Sequence, residues 1–222
     1  MKDAQLTLYY HPLSSYCWKA LIALYENGTA FEKRLVNLGD AGERGALAAL
    51  WPIVKFPVLR DAGRNRDVPE TSILIEYLDR YHPGARPLIP AEFDAALETR
   101  LWDRTLDNYV HGPMQVIVGD RIRGSKGDMA GERAMISKAY GMIEDRMGGR
   151  EWMCGDFGLA DCAAAPALFY AAIVHPFPDG TKNLAAYFER LVARPSVKRV
   201  LEEAKPYFSM YPFKEKLPSR FL

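Results

Sequence analysis

The first third of the chain switches repeatedly between strand and helix patterns, and this alternation restricts its possible folds more than any other feature. Residues 5–10 (QLTLYY) are rich in Leu, Thr and Tyr and read as a strand. After His11-Pro12-Leu13 the pattern turns helical, with Trp18, Leu21, Ile22 and Tyr25 at helical spacing and Asn27-Gly28 as a stop. Residues 31–36 read as a second strand. Residues 41–50 read as a second helix ended by Trp51-Pro52, and residues 56–60 as a third strand. The polar run 61–67 turns into a weak fourth strand. A helix follows over 71–81, with Ile73, Leu74, Tyr77 and Leu78 assigned to one face and His82-Pro83-Gly84 as its stop. A helix between the first two strands requires a parallel crossover, and the close third and fourth strands imply a hairpin. The order β-α-β-α-β-β-α predicts an α/β, thioredoxin-like N-terminal domain over residues 1–84.

Residues 85–90 (ARPLIP) read as a linker. Strand patterns almost vanish beyond it. Helices are predicted over 92–111, 114–122, 131–147, 159–173, 183–193 and 197–204, with Gly112-Pro113 interrupting the first stretch. Residues 91–222 are therefore expected to form an all-helical C-terminal domain. Its tail carries Tyr207, Phe208, Tyr211, Phe213 and Phe221, too many aromatics to float free.

Charge excludes several functions. The chain has 29 basic and 28 acidic residues, with no block of one sign, so no nucleic-acid or membrane partner is expected. The N-terminus lacks the apolar core of a signal peptide. Cys17, Cys154 and Cys162 are scattered and form no CxxC, which points to a reducing, cytoplasmic setting. His11, His82, His111 and His175 lie singly, so no metal site is expected.

Three local motifs carry the candidate chemistry. Ser14-Ser15-Tyr16-Cys17-Trp18-Lys19 stands between the first strand and first helix, where a hydroxyl and a helix N-terminus both favour an anion. Lys55-Phe56-Pro57-Val58-Leu59 opens the third strand, and Glu70-Thr71-Ser72-Ile73-Leu74 opens the third helix. Read alone, the serines and Glu70-Thr71 are also ordinary helix caps, and the proline an ordinary strand opening. In this order, ahead of a helical domain, the motifs resemble the cytosolic glutathione transferases. The first motif is most similar to the SSCSWR stretch of the zeta class, departing at Tyr16, Cys17 and Lys19.

The resemblance implies glutathione as co-substrate, with no metal, and a homodimer. It implies that Ser14 holds the thiol as thiolate, with Ser15 and Cys17 as fallbacks. A free thiol has a pKa of about 8.5, and lowering it by about two units takes roughly 2.7 kcal/mol. One charge-assisted hydrogen bond of ~1.5–3 kcal/mol plus a helix terminus of ~0.3–1 kcal/mol suffices. Phe56, before a cis Pro57, is implied to pair with the cysteinyl part of the tripeptide through its backbone. Lys55 is implied to reach a carboxylate, and Glu70 and Thr71 to take the γ-glutamyl ammonium and carboxylate. Tyr10, Leu13, Trp102, Tyr109 and Met114 are the candidates for the pocket of a small apolar electrophile. Cys17 also invites a redox reading, but the attacking position of that motif is serine here.

A fourth match, Gly158-Leu159-Ala160-Asp161, resembles the family's capping box, with glycine replacing the hydroxyl residue. Asp161 is assigned to folding, and the lost hydroxyl is expected to cost only a few tenths of a kcal/mol. The activity implied is thiolate transfer to the electrophile. The alternatives are a zeta-like cis–trans isomerase of maleylacetoacetate type and a non-catalytic binding protein.

Overall fold

The computed structural model describes residues 5–222. Four strands, β1 (Leu6–Tyr10), β2 (Glu32–Leu35), β3 (Val58–Asp61) and β4 (Arg66–Pro69), form one sheet in the order β2-β1-β3-β4. β1 runs parallel to β2 and antiparallel to β3, and β3 and β4 form the hairpin. With α1 (Ser15–Glu26), α2 (Ala41–Leu50) and α3 (Thr71–Tyr81), this is the predicted thioredoxin-like arrangement. β3 begins after Pro57, later than the sequence suggests, because proline has no N–H to give to a ladder. Ile73 departs from the expected shared face of α3: it is exposed, while Leu74, Tyr77 and Leu78 are buried.

The helical part comprises α4 (Phe93–Leu106), α5 (Gly112–Ile122), α6 (Ala130–Arg146), α7 (Leu159–Val174), α8 (Lys182–Ala193) and α9 (Pro195–Ala204). The expected break at Gly112-Pro113 takes the form of a π-helical turn, Asp107–His111, that joins α4 to α5. The N–H of Gly112 donates to the carbonyl of Asp107, five residues back. The wider turn makes room for a proline ring that would crowd the preceding turn of a regular helix.

Helix α7 is apolar on every side and almost wholly buried, as a central helix must be. It packs against α1, where the Trp18 ring lies 4.9 Å from Phe169 and 5.0 Å from Tyr170. After α9 the tail winds through short 3₁₀ turns and buries Phe208, Tyr211, Phe213, Leu217 and Phe221. No helix among the described residues is long and apolar enough to cross a membrane.

Asp161 caps α7 from within its first turn. Its carboxylate accepts the N–H of Gly158 and that of Met153, both at 3.0 Å, and the Tyr187 hydroxyl at 2.5 Å. Glycine at 158 has a steric cause as well. A Cβ there would stand 2.6 Å from the Leu88 carbonyl oxygen, which accepts the N–H of Leu159 at 2.8 Å. The linker lies over the cap, and a hydroxyl residue has no room.

Candidate functional site

Two adjoining hollows open where the sheet domain meets the helices. The first, a polar cleft of about 270 Å³, is lined by Tyr16, Trp51, Lys55, Phe56, Pro57, Glu70 and Thr71, and by Arg104, Asp107 and Asn108 from the α4 side. The second, a mostly apolar cavity of about 390 Å³, lies between the N-terminus of α1, helix α5, Tyr170 of α7 and the tail. Phe56 lines both.

The Phe56–Pro57 bond is cis, and Lys55, Phe56 and Pro57 stand together in the polar cleft. Lys55 is exposed and makes no ion pair among the described residues. Glu70 immediately precedes α3 with φ +63°, a conformation uncommon outside glycine that persists only where the surroundings impose it. Its carboxylate caps no helix N–H. Thr71 follows as the first helical residue, nearly buried. A free carboxylate thus stands beside an uncapped helix N-terminus, a pairing suited to a ligand group that carries both an ammonium and a carboxylate.

At the head of α1, Ser14 is the N-cap, and its Oγ accepts the N–H of Cys17 at 3.3 Å. The hydroxyl proton can turn towards the buried Cys17 sulfur or towards the cavity that Ser14 lines. Ser14 and Ser15 both line the apolar cavity, but the Ser15 hydroxyl is nearly buried and accepts a hydrogen bond from the Gln115 amide at 2.9 Å. Cys17 stands apart from the cavity. It is 0% exposed, and burial pushes its thiol up to about 12 despite hydrogen bonds with Ser14 and His11. A thiol so placed stays protonated and unreactive near neutral pH.

Of the residues predicted for the second pocket, Leu13 and Met114 line the apolar cavity, and three others do not. Tyr10 packs half-buried against the core at the end of β1. Trp102 lies under the guanidinium of Arg146, the last residue of α6, which stands 5.4 Å from its ring. Tyr109 lies in the π turn and is exposed. The cavity uses Met114, Val118 and Ile122 instead, one stripe at i, i+4, i+8 on α5. That spacing is legible in the sequence. The contributions of Tyr170, Met210 and Tyr211 are not, because only folding brings α7 and the tail to the same place.

Sequence reasoning also missed the cationic and acidic floor behind the polar cleft. Lys19, wholly buried, contacts Asp103, Asp107 and the Ser72 hydroxyl. Arg104 donates to the same two carboxylates and to Ser72 at 2.6 Å, and lines the cleft itself. Burial alone would raise the pKa of Asp107, but the His111 ring and the Lys19 charge hold it well below the usual carboxylate range. A single cation inside the apolar run Trp18–Leu24 is the signal that could have found this cluster.

Residues 8–86 match the family model for the glutathione S-transferase N-terminal domain, and residues 128–190 that for the C-terminal domain. Glutathione S-transferase U25 of Arabidopsis thaliana is 26% identical over 219 residues, covering 96% of this chain and 95% of the relative. The stringent starvation protein A homolog of Haemophilus influenzae is 28% identical over 215 residues, covering 92% and 94%. Among solved structures, a glutathione S-transferase of Methylobacillus flagellatus with GSH bound superposes with a TM-score of 0.77 at 24% identity, covering 88% of this chain and 98% of that one. One from Methylobacterium radiotolerans, in complex with glutathione sulfonate, has a TM-score of 0.72 at 27% identity, covering 88% and 93%.

Proposed function

This chain belongs to the glutathione S-transferase family, and from that premise we propose that it binds glutathione in the polar cleft and presents its thiolate to a small apolar electrophile in the adjoining cavity. The observation that carries this reading is the shared wall. Phe56 lines both hollows, and Ser14 lines the apolar one at the head of α1. A tripeptide lying along Phe56 brings its sulfur to the junction.

The roles follow from chemistry. Glu70 takes the γ-glutamyl ammonium, and Thr71 with the α3 N-terminus takes its carboxylate. The Phe56 backbone pairs with the cysteinyl residue, and Lys55 takes the glycyl carboxylate. Ser14 donates to the sulfur. Its hydrogen bond is stronger to a thiolate than to a thiol, and the α1 N-terminus adds to the preference. Catalysis is then thiol activation and positioning.

A homodimer fits the surface. Phe93, Leu97 and Leu101 make an exposed apolar stripe on one face of α4, with Ile73 exposed on neighbouring α3. A cytoplasmic location suits a chain whose thiols are unpaired and whose co-substrate is itself a thiol.

The test is the titration of bound sulfur, followed by thiolate absorbance. In the wild-type protein it should fall about two pH units below free glutathione. In Ser14→Ala it should rise towards the free value, with kcat/KM reduced about ten-fold or more and glutathione affinity little changed. A sulfur that titrates alike bound and free would sink the mechanism. The name of the Haemophilus influenzae relative motivates a second reading, a glutathione-transferase-like protein that binds without turnover. That reading predicts no product with any electrophile, even with glutathione bound. Turnover of maleylacetoacetate beside that of a chlorinated aromatic separates the isomerase alternative.

A further inference from the structure

The identity of the second substrate class rests on the glutathione reading above and extends it. We propose that His11 is a catalytic residue, donating a hydrogen bond from Nε2–H to an oxygen of the electrophile, so that the cavity is built for apolar α,β-unsaturated carbonyl compounds.

His11 follows β1 directly and lines the apolar cavity beside Ser14 and Phe56. Three contacts fix its ring. Nδ1 accepts the N–H of Leu13 at 3.2 Å. The ring stacks on Phe56, with centroids 6.0 Å apart and planes 18° from parallel, and meets the edge of Tyr207 at 5.9 Å. A ring nitrogen that accepts carries no proton, so the neutral imidazole keeps its proton on Nε2. Half-burial lowers the His11 pKa and so favours this neutral form. Among the described residues Nε2 has no hydrogen-bond partner, and it is not among the nitrogens sealed from solvent.

Most competing donors are committed or closed off. One N–H of the Gln115 amide is taken by the Ser15 hydroxyl, itself nearly buried, and the hydroxyl oxygens of Tyr170 and Tyr211 are sealed from solvent. Ser14 is reserved for sulfur. The cavity thus offers an apolar bed with one neutral, accessible ring donor beside the junction where the thiolate emerges.

A neutral donor suits an oxygen that gains charge during reaction. In conjugate addition the thiolate pair forms a C–S bond to the β-carbon. The C=C pair moves to give an enolate, whose oxygen accepts from His11 Nε2–H. Water then protonates the α-carbon, replacing the proton lost when the thiol ionised. Displacement of a halide from an apolar carbon needs no such donor.

The experiment compares trans-2-nonenal with benzyl chloride, at saturating glutathione, on the full-length wild-type, His11→Phe and His11→Gln proteins. His11→Phe should lower the enal-to-halide ratio of kcat/KM at least about ten-fold, as loss of a donor to developing charge does. His11→Gln, whose amide N–H reaches a similar position, should recover most of it. A ratio within about two-fold of wild type in His11→Phe, or no recovery in His11→Gln, overturns the assignment. Thiolate absorbance without electrophile separates the two failures. If it is present in all three proteins and the ratio does not move, only the role of His11 falls. If it is absent in wild type, the glutathione reading falls and this inference with it.

Discussion

The Nζ of Lys19 lies 2.5 Å from an Asp103 carboxylate oxygen, wholly buried between the first helix of the sheet domain and the first helix of the bundle. Asp107, Arg104 and Ser72 close the cluster, so two cations face two carboxylates with a hydroxyl between them. The cluster ties the polar cleft to the domain junction, because Arg104 and Asp107 line the cleft while Lys19 supports both acids from behind.

Lys19→Met keeps the packing volume but leaves the two acids with Arg104 as their remaining cation. Breaking a buried pair in this way should cost about 3–5 kcal/mol in urea unfolding. Adding Asp103→Asn to Lys19→Met should recover part of the loss, because one uncompensated charge is removed. A Lys19→Met protein as stable as wild type would show that the ion pairs contribute nothing net.

Gly158→Ser restores the hydroxyl that the family's capping box carries, and on local grounds it should help the helix. The tertiary structure reverses the sign. The new Cβ would stand 2.6 Å from the Leu88 carbonyl, which is backbone and cannot swing away. Destabilisation of about 1–3 kcal/mol is expected, the range for overpacking a filled site. An increase in melting temperature would refute the steric account.

Leu101→Arg and Leu97→Arg, made together, place two charges in the apolar stripe of α4, where both residues are more than half exposed and support nothing within the chain. Light scattering should then give the mass of one chain where the wild type gives that of two, with the unfolding of the separated chain otherwise similar. An unaltered mass would move the association surface elsewhere, since charged side chains are excluded from the core of such contacts.

Element order, the parallel crossover and the start and stop of α1, α2 and α3 were legible because they rest on short-range patterns. The helical period, Asn27-Gly28 and the Ser14 cap each act within a few residues. The three motifs proposed to hold glutathione were legible for the same reason: each is a strand end or a helix start whose residues line the two hollows together. What the chain alone left open was every feature built from distant segments. The exposed side of Ile73, the absence of Tyr10, Trp102 and Tyr109 from the cavity, the burial of Cys17 and the Lys19 cluster all depend on which helices meet. Periodicity says that a face is apolar; it does not say which neighbour covers it. That choice is made when α7 packs on α1 and the tail folds back over both.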